Sequence, residues 1–101
     1  MTAPLEPALS PLSNAQRYGP LLGAWLASYS SANTRTAYRR DALVLLEHFD
    51  ARSLDLLTAR RRDLDLFART RQAAGDSPAT VARRLAAASA LRRAVDPELA
   101  A

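Results

Sequence analysis

Apolar residues recur three and four positions apart in four separate stretches of this 101-residue chain. That spacing places them on one face of an α-helix, whereas a half-buried strand needs strict alternation of apolar and polar residues. The chain shows no strand pattern, no glycine-rich phosphate loop and no internal repeat. Alanine, leucine and arginine, all good helix formers, are frequent, while aromatic residues make up only 6 %. The sequence therefore predicts an all-α fold, a small bundle of helices joined by short connections.

The first two predicted helices lie in the N-terminal half of the chain. The first covers about residues 20–29 and ends at the polar stretch SYSSAN. Its inward face consists of Leu22, Trp25, Leu26 and Tyr29. Either Ser31 or Asn33 can cap the second helix, because their side chains accept hydrogen bonds from free backbone amides. This helix runs to about Phe49, and its apolar stripe consists of Tyr38, Ala42, Leu45, Leu46 and Phe49.

Two further helices are predicted in the C-terminal half. The third starts near a cap at Thr58 and ends before Gly75, the residue type that best adopts the left-handed stop conformation. Ser77 and Pro78 give the clearest helix start in the sequence, because proline at the first helical position needs no N–H donor. This fourth helix runs to the break at Pro97. The inward residues are Leu57, Leu64, Phe67 and Ala68 in the third helix, and Val81, Leu85, Ala88, Leu91 and Val95 in the fourth.

The chain length suits one compact domain. Four of the six prolines fall within the first 20 residues, a composition that predicts a flexible arm over residues 1–19 with room for one short helix at Ser13 to Tyr18. The helical domain is expected over 20–96, followed by a short tail at 97–101. No apolar run approaches the roughly 18 residues of a membrane span, and the N terminus lacks the features of a signal peptide. We therefore expect a cytoplasmic protein with no membrane partner.

Few residues in the sequence suit catalysis or metal binding. Cysteine is absent, which excludes disulfides, zinc–thiolate sites and a cysteine nucleophile. His48 is the only histidine, and its place between Glu47 and Phe49 in a helix predicts a surface or boundary position. Asp63 and Asp65 are two positions apart, so they point to different faces of the third helix. The sequence predicts no enzyme activity of its own, no metal site and no cofactor.

The distribution of basic residues favours nucleic-acid binding. All 14 basic residues are arginines, the net charge is +4, and residues 77–95 hold four arginines and no acid. The first turns of the second and fourth helices combine arginine with small hydroxyl residues, and helix N termini attract phosphate. Arginine also reaches guanine edges. The same residues fit a second interpretation, solvated helix faces with ordinary caps. The run ARRRD at 59–63 likewise fits either a phosphate contact or a solvated surface.

Two segments, SSANTRTAYRRDALVLLEHF and LTARRRDLDLFARTRQAAGDSPATVARRLAAASALRR, resemble the N-terminal core-binding domain of the tyrosine recombinase, or phage integrase, family. With the first helix, the resemblance covers about residues 20–95. It implies a SAM-like orthogonal bundle of four or five helices that lies over one face of double-stranded DNA, with the second and fourth helices crossing at the major groove. The DNA-facing residues that it implies are Thr34, Arg35, Thr36, Arg39 and Arg40 in the second helix, and Ala79, Thr80, Arg83 and Arg84 in the fourth.

The sequence also departs from that family. The catalytic domain, which carries arginine, histidine and a nucleophilic tyrosine, is missing, and Tyr18, Tyr29 and Tyr38 lie outside any such motif. Whether the chain is a fragment of a site-specific recombinase or a stand-alone module stays open. Two other functions also stay open: a protein-interaction module that associates with recombinase subunits or a separate catalytic domain, and a helix-turn-helix regulator. Arg84, on the expected DNA side, is predicted to contribute little to stability.

Overall fold

Four helices make up the structure, a computed structural model that describes residues 12–96 and residue 98. They are α1 (Asn14–Ala27), α2 (Ala32–Ala51), α3 (Arg61–Ala73) and α4 (Pro78–Val95). No strand occurs in this part of the chain, so the predicted all-α fold is confirmed. Among the described residues, no helix has the length and apolarity needed to cross a membrane.

Helix α1 begins at Asn14, well before the predicted start near residue 20. The Ser13 hydroxyl accepts a hydrogen bond from the Gln16 amide at 3.1 Å, and the Ser13 amide donates to the Gln16 side chain at 2.8 Å. This reciprocal capping satisfies two amides that a helix start otherwise leaves unpaired. The local cap therefore fixes the start of α1, although prolines are frequent around it.

Pro20 lies inside α1 without ending it. Proline lacks the N–H that would bond to the preceding turn, but buried aromatic residues on both sides of it pack α1 against the core. Residues 14–19 are therefore helical and not a flexible arm, which agrees with the short helix that the sequence allows at Ser13 to Tyr18 and corrects its boundary with the helical domain. The rest of the predicted arm, residues 1–11, lies outside the described residues, as does the predicted tail at 97–101 apart from Glu98.

The helices α2 and α4 begin where the sequence signals place them. Ser31, rather than Asn33, caps α2 by accepting from the Thr34 amide at 3.3 Å. The Ser77 cap opens α4 as predicted. Gly75, just before it, has the expected left-handed backbone with a φ of 101°. These signals succeed because each of them acts within a few residues of the helix end.

Helix α3 starts at Arg61, so the prediction of a cap at Thr58 was wrong. The amide of Arg60 donates to the Asp63 carboxylate at 2.8 Å, which is one half of a capping box. Thr58 lies instead in a turn, where its amide donates to the carbonyl of Asp55 at 3.2 Å. The carboxylate of Asp63, three positions beyond the cap residue Arg60, therefore determines where α3 begins.

The core forms around α4, which packs against all three other helices. The largest fully buried apolar side chains are Leu45, Leu46, Phe49, Leu56, Phe67 and Leu91. The inward face of α4 largely follows the prediction, since Val81, Ala88 and Val95 are buried. Leu85 is only half-buried, however, and the neighbouring charged residue Arg84 is buried instead.

A buried asparagine ties the start of α1 to the end of α2. The Asn14 side chain donates to the Asp50 carboxylate at 2.7 Å and to the Leu54 carbonyl at 2.9 Å. It also accepts from the Leu56 amide at 2.8 Å. Every polar atom of this side chain is thus paired, as burial requires.

Candidate nucleic-acid interface

The outer face of α2 is an exposed surface with two arginines. Arg39 and Arg40 are exposed, and neither forms an ion pair or a hydrogen bond with any residue in the described part of the chain. Thr36 precedes them by one turn, and Thr34 is half-buried at the helix start. A shallow groove runs along this face, which we call the α2 groove; its residues are Thr36, Arg39, Arg40, Leu43, Val44 and Glu47. Two guanidinium groups are therefore available to a ligand here.

Half of the arginines are already engaged within the fold. Those whose guanidinium groups contact a carboxylate or a backbone carbonyl are Arg17, Arg35, Arg52, Arg71, Arg83, Arg84 and Arg92. The others, whose guanidinium groups make no such contact among the described residues, are Arg39, Arg40, Arg60, Arg61, Arg62, Arg69 and Arg93. A free guanidinium can pair with phosphate without breaking a bond inside the protein. The second group is therefore the better source of DNA contacts.

Arg35 belongs to the engaged group, although it lies on the predicted DNA side. Its Nη1 atom donates to the Tyr29 carbonyl at 2.6 Å and to the Ser30 carbonyl at 2.9 Å. These carbonyls follow the end of α1, so the bonds join the α1–α2 connection to the first turn of α2. Arg35 therefore holds the interface in place more than it offers a free charge.

Asp41 and Arg83 form the strongest link between α2 and α4. The carboxylate accepts from Arg83 Nε at 2.9 Å and from Nη2 at 2.8 Å, a bidentate pair. Asp41 is only 1 % exposed, whereas the Arg83 side chain is 42 % exposed. The hydrogen bond to Asp41 raises the pKa of Arg83, although partial burial works in the opposite direction. The Arg83 guanidinium thus reaches the surface, but the buried carboxylate of Asp41 neutralises its charge.

Arg84 is buried, so its predicted position on the DNA-facing surface was wrong. It is 9 % exposed, and its Nε atom lies 3.6 Å from Asp41 and 3.5 Å from Asp76. Asp76 in turn accepts from Arg71 at 2.8 Å, which lowers the pKa of its carboxyl. Five charged residues of α2, α3, α4 and the α3–α4 turn therefore form one network, the Asp41 network: Asp41, Arg71, Asp76, Arg83 and Arg84. Because Arg84 is buried between two carboxylates, we expect it to contribute to stability, in contrast to the prediction from the sequence.

The Asp41 network brings the two predicted DNA-facing segments together. Asp41 directly follows Arg40 in α2, and Arg83 lies one turn beyond Thr80 in α4. The ion pair therefore joins α2 to the second turn of α4, whereas the α2 groove is lined by residues of α2 alone. In the first turn of α4, Ala79 is exposed and Thr80 is half-buried. Small residues at this position leave the helix N terminus open to a close approach by phosphate.

The only histidine of the chain is buried in the core. His48 is buried against the Phe67 ring at 5.1 Å, so the predicted surface or boundary position was wrong. Burial lowers the pKa of His48, and the charges of Arg52 and Arg71 lower it further. No group of three or more metal-ligating side chains occurs within residues 12–96 and 98.

A comparison with protein-family models gives one match, the N-terminal SAM-like domain of phage integrase, over residues 24–95. The chain belongs to this family. The match contains α2, α3 and α4 complete, together with the last turn of α1, and it confirms the SAM-like fold that the sequence resemblance implies. No curated protein and no solved structure matches the chain.

The three tyrosines of this integrase-type domain have structural roles. Tyr38 stacks on Trp25 with ring centroids 5.6 Å apart, and Tyr29 packs edge-on against Tyr38 at 5.0 Å. This aromatic cluster fixes the start of α2 against α1. Tyr18 donates to Asp55, and burial together with this bond raises the pKa of Tyr18.

The integrase-type site differs from the prediction in two respects. The sequence analysis missed Leu43, Val44 and Glu47, which extend the α2 groove beyond the arginines. Their helical spacing was the available signal: Leu43 and Val44 follow Arg40 by three and four positions, and Glu47 follows Leu43 by four, which places them on one helix face. In α4, Arg84 occupies a position of the inward stripe, between Val81 and Ala88, where an apolar residue would be expected.

Proposed function

We propose that this chain is a DNA-binding module of the tyrosine recombinase family, which binds double-stranded DNA in the cytoplasm without cutting or joining it by itself. Its contact surface consists of the α2 groove and the first turn of α4. The residues proposed to touch DNA are Thr34, Thr36, Arg39, Arg40, Ala79 and Thr80. Arg35, Arg83 and Arg84 support this surface from within, with Arg83 at its margin.

The observation that carries the proposal is the pair of free arginines on α2 beside the ion pair that joins α2 to α4. Arg39 and Arg40 have no partner among the described residues, and the Asp41–Arg83 pair joins α4 to the same helix. Two unpaired guanidinium groups on α2 and the N terminus of α4 offer three positively charged elements to phosphate. Membership of the integrase family supports duplex DNA as the ligand.

The expected affinity is modest and depends on salt. Arg39, Arg40 and the two helix N termini can neutralise roughly four phosphates, which gives a slope of log K against log salt of roughly −3.6. Such a slope lowers the affinity roughly 150-fold between 50 and 200 mM salt. An affinity that does not change with salt would contradict the proposal.

The test is a titration of labelled random-sequence duplex DNA, followed by fluorescence anisotropy at several salt concentrations. In the variant Arg39→Gln/Arg40→Gln we expect weaker binding and a slope smaller in magnitude by about 2, since each arginine accounts for about 1. The matched control is Arg61→Gln/Arg62→Gln, which removes the same charge from exposed, unpaired arginines at the start of α3. The control should retain the wild-type slope.

Circular dichroism of each variant separates a loss of binding from a loss of folding. An equal loss of binding in both variants would mean that net charge, and not the α2 groove, attracts DNA. If the folded wild-type protein fails to bind duplex DNA at low salt, the proposal is wrong, and the alternative of a module that associates with recombinase subunits takes its place.

A further inference from the structure

A leucine lies in the middle of the α2 groove, between its charged residues. Leu43 is 39 % exposed, although α2 has a buried apolar stripe on its opposite face. It follows Arg39 and Arg40 by one helical turn and lies beside the half-buried Val44. The apolar side chain therefore occupies a surface whose other exposed residues are charged or carry a hydroxyl group.

Leu43 has no group that could bind a phosphate, because it carries neither a charge nor a hydrogen-bond donor. The major groove of B-DNA offers one apolar group on its base edges, the C5-methyl group of thymine, and apolar side chains are its usual contacts. An exposed leucine next to phosphate-binding arginines thus matches a methyl group better than any other part of the duplex.

The spacing along α2 agrees with a contact of this kind. Leu43 lies about 4.5 to 6 Å along the helix axis from Arg40 and Arg39, a distance between one and two base-pair steps of about 3.4 Å. Arginines on the backbone or on a guanine would therefore bring Leu43 to a neighbouring base edge. Glu47, one turn further, ends the groove with a carboxylate that phosphate repels, so this part of α2 suits base edges and not the backbone.

We propose that Leu43, supported by Val44, contacts a thymine methyl group in the major groove and gives this module a base preference. The inference rests on the proposed function and adds a specificity-determining residue to it. Thymine is favoured over uracil and over unmethylated cytosine at the contacted position, because only thymine presents the methyl group.

The test compares an alternating adenine–thymine duplex with the same duplex in which uracil replaces thymine, again by fluorescence anisotropy at low salt. The wild-type protein should bind the thymine duplex about fourfold more tightly, which corresponds to ~0.8 kcal/mol for one buried methyl group. Leu43→Ala should bind both duplexes equally. The matched control is Leu66→Ala, which truncates an exposed leucine of α3 and should retain the fourfold preference.

The outcomes distinguish this inference from the function on which it rests. Equal binding of the two duplexes by the wild-type protein overturns the inference, and so does a preference that persists in Leu43→Ala. Both results leave DNA binding itself intact. If the folded protein binds neither duplex, the proposed function is wrong, and the inference that rests on it fails with it.

Discussion

Replacing Asp41 by asparagine is the sharpest test of the packing between α2 and α4. The carboxylate is 1 % exposed and accepts two hydrogen bonds from Arg83, while Arg84 Nε lies 3.6 Å away. The asparagine side chain would keep the shape but lose the charge that both guanidinium groups face. Removing one partner of a buried ion pair costs about 3 to 5 kcal/mol. Because the Arg83 side chain is 42 % exposed and water can replace part of its pairing, we expect about 3 kcal/mol.

That loss is a large part of the roughly 5 to 15 kcal/mol that stabilises a small domain. Urea unfolding followed by far-UV circular dichroism gives the free energy of unfolding of wild type and variant. The matched control is Asp65→Asn, an exposed aspartate of α3 that forms no ion pair with the described residues and should change stability by less than about 0.5 kcal/mol. A loss below about 1 kcal/mol for Asp41→Asn would refute the reasoning.

A double-mutant cycle with Arg84 tests whether the charges act as one network. In the Asp41→Asn background, Arg84 is a buried cation that has lost one of its two nearby carboxylates. Replacing it with methionine, of similar length, removes this charge and fills its space with apolar atoms. We expect the double variant to lose at least about 1 kcal/mol less than the sum of the two single losses. Additive losses would show that Asp41 interacts with Arg83 alone.

Three further predictions concern the rest of the fold. Trp25→Ala should cost about 3 to 5 kcal/mol, because the indole is buried in the aromatic cluster, and far-UV circular dichroism in urea measures this without the tryptophan. Asn14→Ala should cost about 1 to 3 kcal/mol, since it leaves the Leu56 amide buried without its acceptor; chemical denaturation measures the loss, and an unchanged midpoint would contradict it. His48 has a lowered pKa in the folded state, so the unfolded chain takes up its proton first and stability should fall as the pH drops below about 6.5. In the variant His48→Leu, the unfolding temperature measured from pH 7 to 5 should lack the part of the fall that protonation of His48 causes.

The sequence predicted the features of the fold that depend on neighbouring residues. The Ser77 cap and the left-handed Gly75 were found because a helix end is decided within one turn. The full extent of α1 does not follow from the sequence, because prolines normally interrupt a helix, whereas the capping box of Ser13 and Gln16 starts this one before Pro20. For α3, a hydroxyl at Thr58 predicts a cap, but the helix begins later, where the Asp63 carboxylate accepts from the Arg60 amide.

Contacts between distant residues could not be predicted in the same way. Arg84 lies at helical spacing within the inward stripe of α4, but an arginine is normally placed at the surface unless a buried acid is known to face it. That acid, Asp41, is more than 40 positions away in the sequence. His48 was misplaced for the same reason, since its contact with Phe67 depends on how α3 packs.

The charge distribution of the candidate site also depends on contacts between residues that are distant in the sequence. By sequence, residues 34–50 are electrically balanced, and the excess of arginine lies in residues 77–95. The fold reverses this distribution. In α4, Asp41 faces two of the arginines, Arg92 donates to the backbone carbonyl of Leu57 at 3.1 Å, and only Arg93 is without such a contact among the described residues.

In α2 the opposite occurs, because two of its three acids, Asp41 and Asp50, are used elsewhere in the fold, and only Glu47 remains at the far end of the α2 groove. Asp41 points to α4, and Asp50 accepts from Asn14 at the start of α1. The carboxylates of Asp41 and Asp50 therefore do not neutralise Arg39 and Arg40 in space, and Glu47 forms no ion pair with them. Phosphate responds to the field at a surface, not to the order of charges along a chain. We therefore expect the attraction for DNA to be strongest at α2, with α4 joined to α2 by the ion pair that neutralises Arg83.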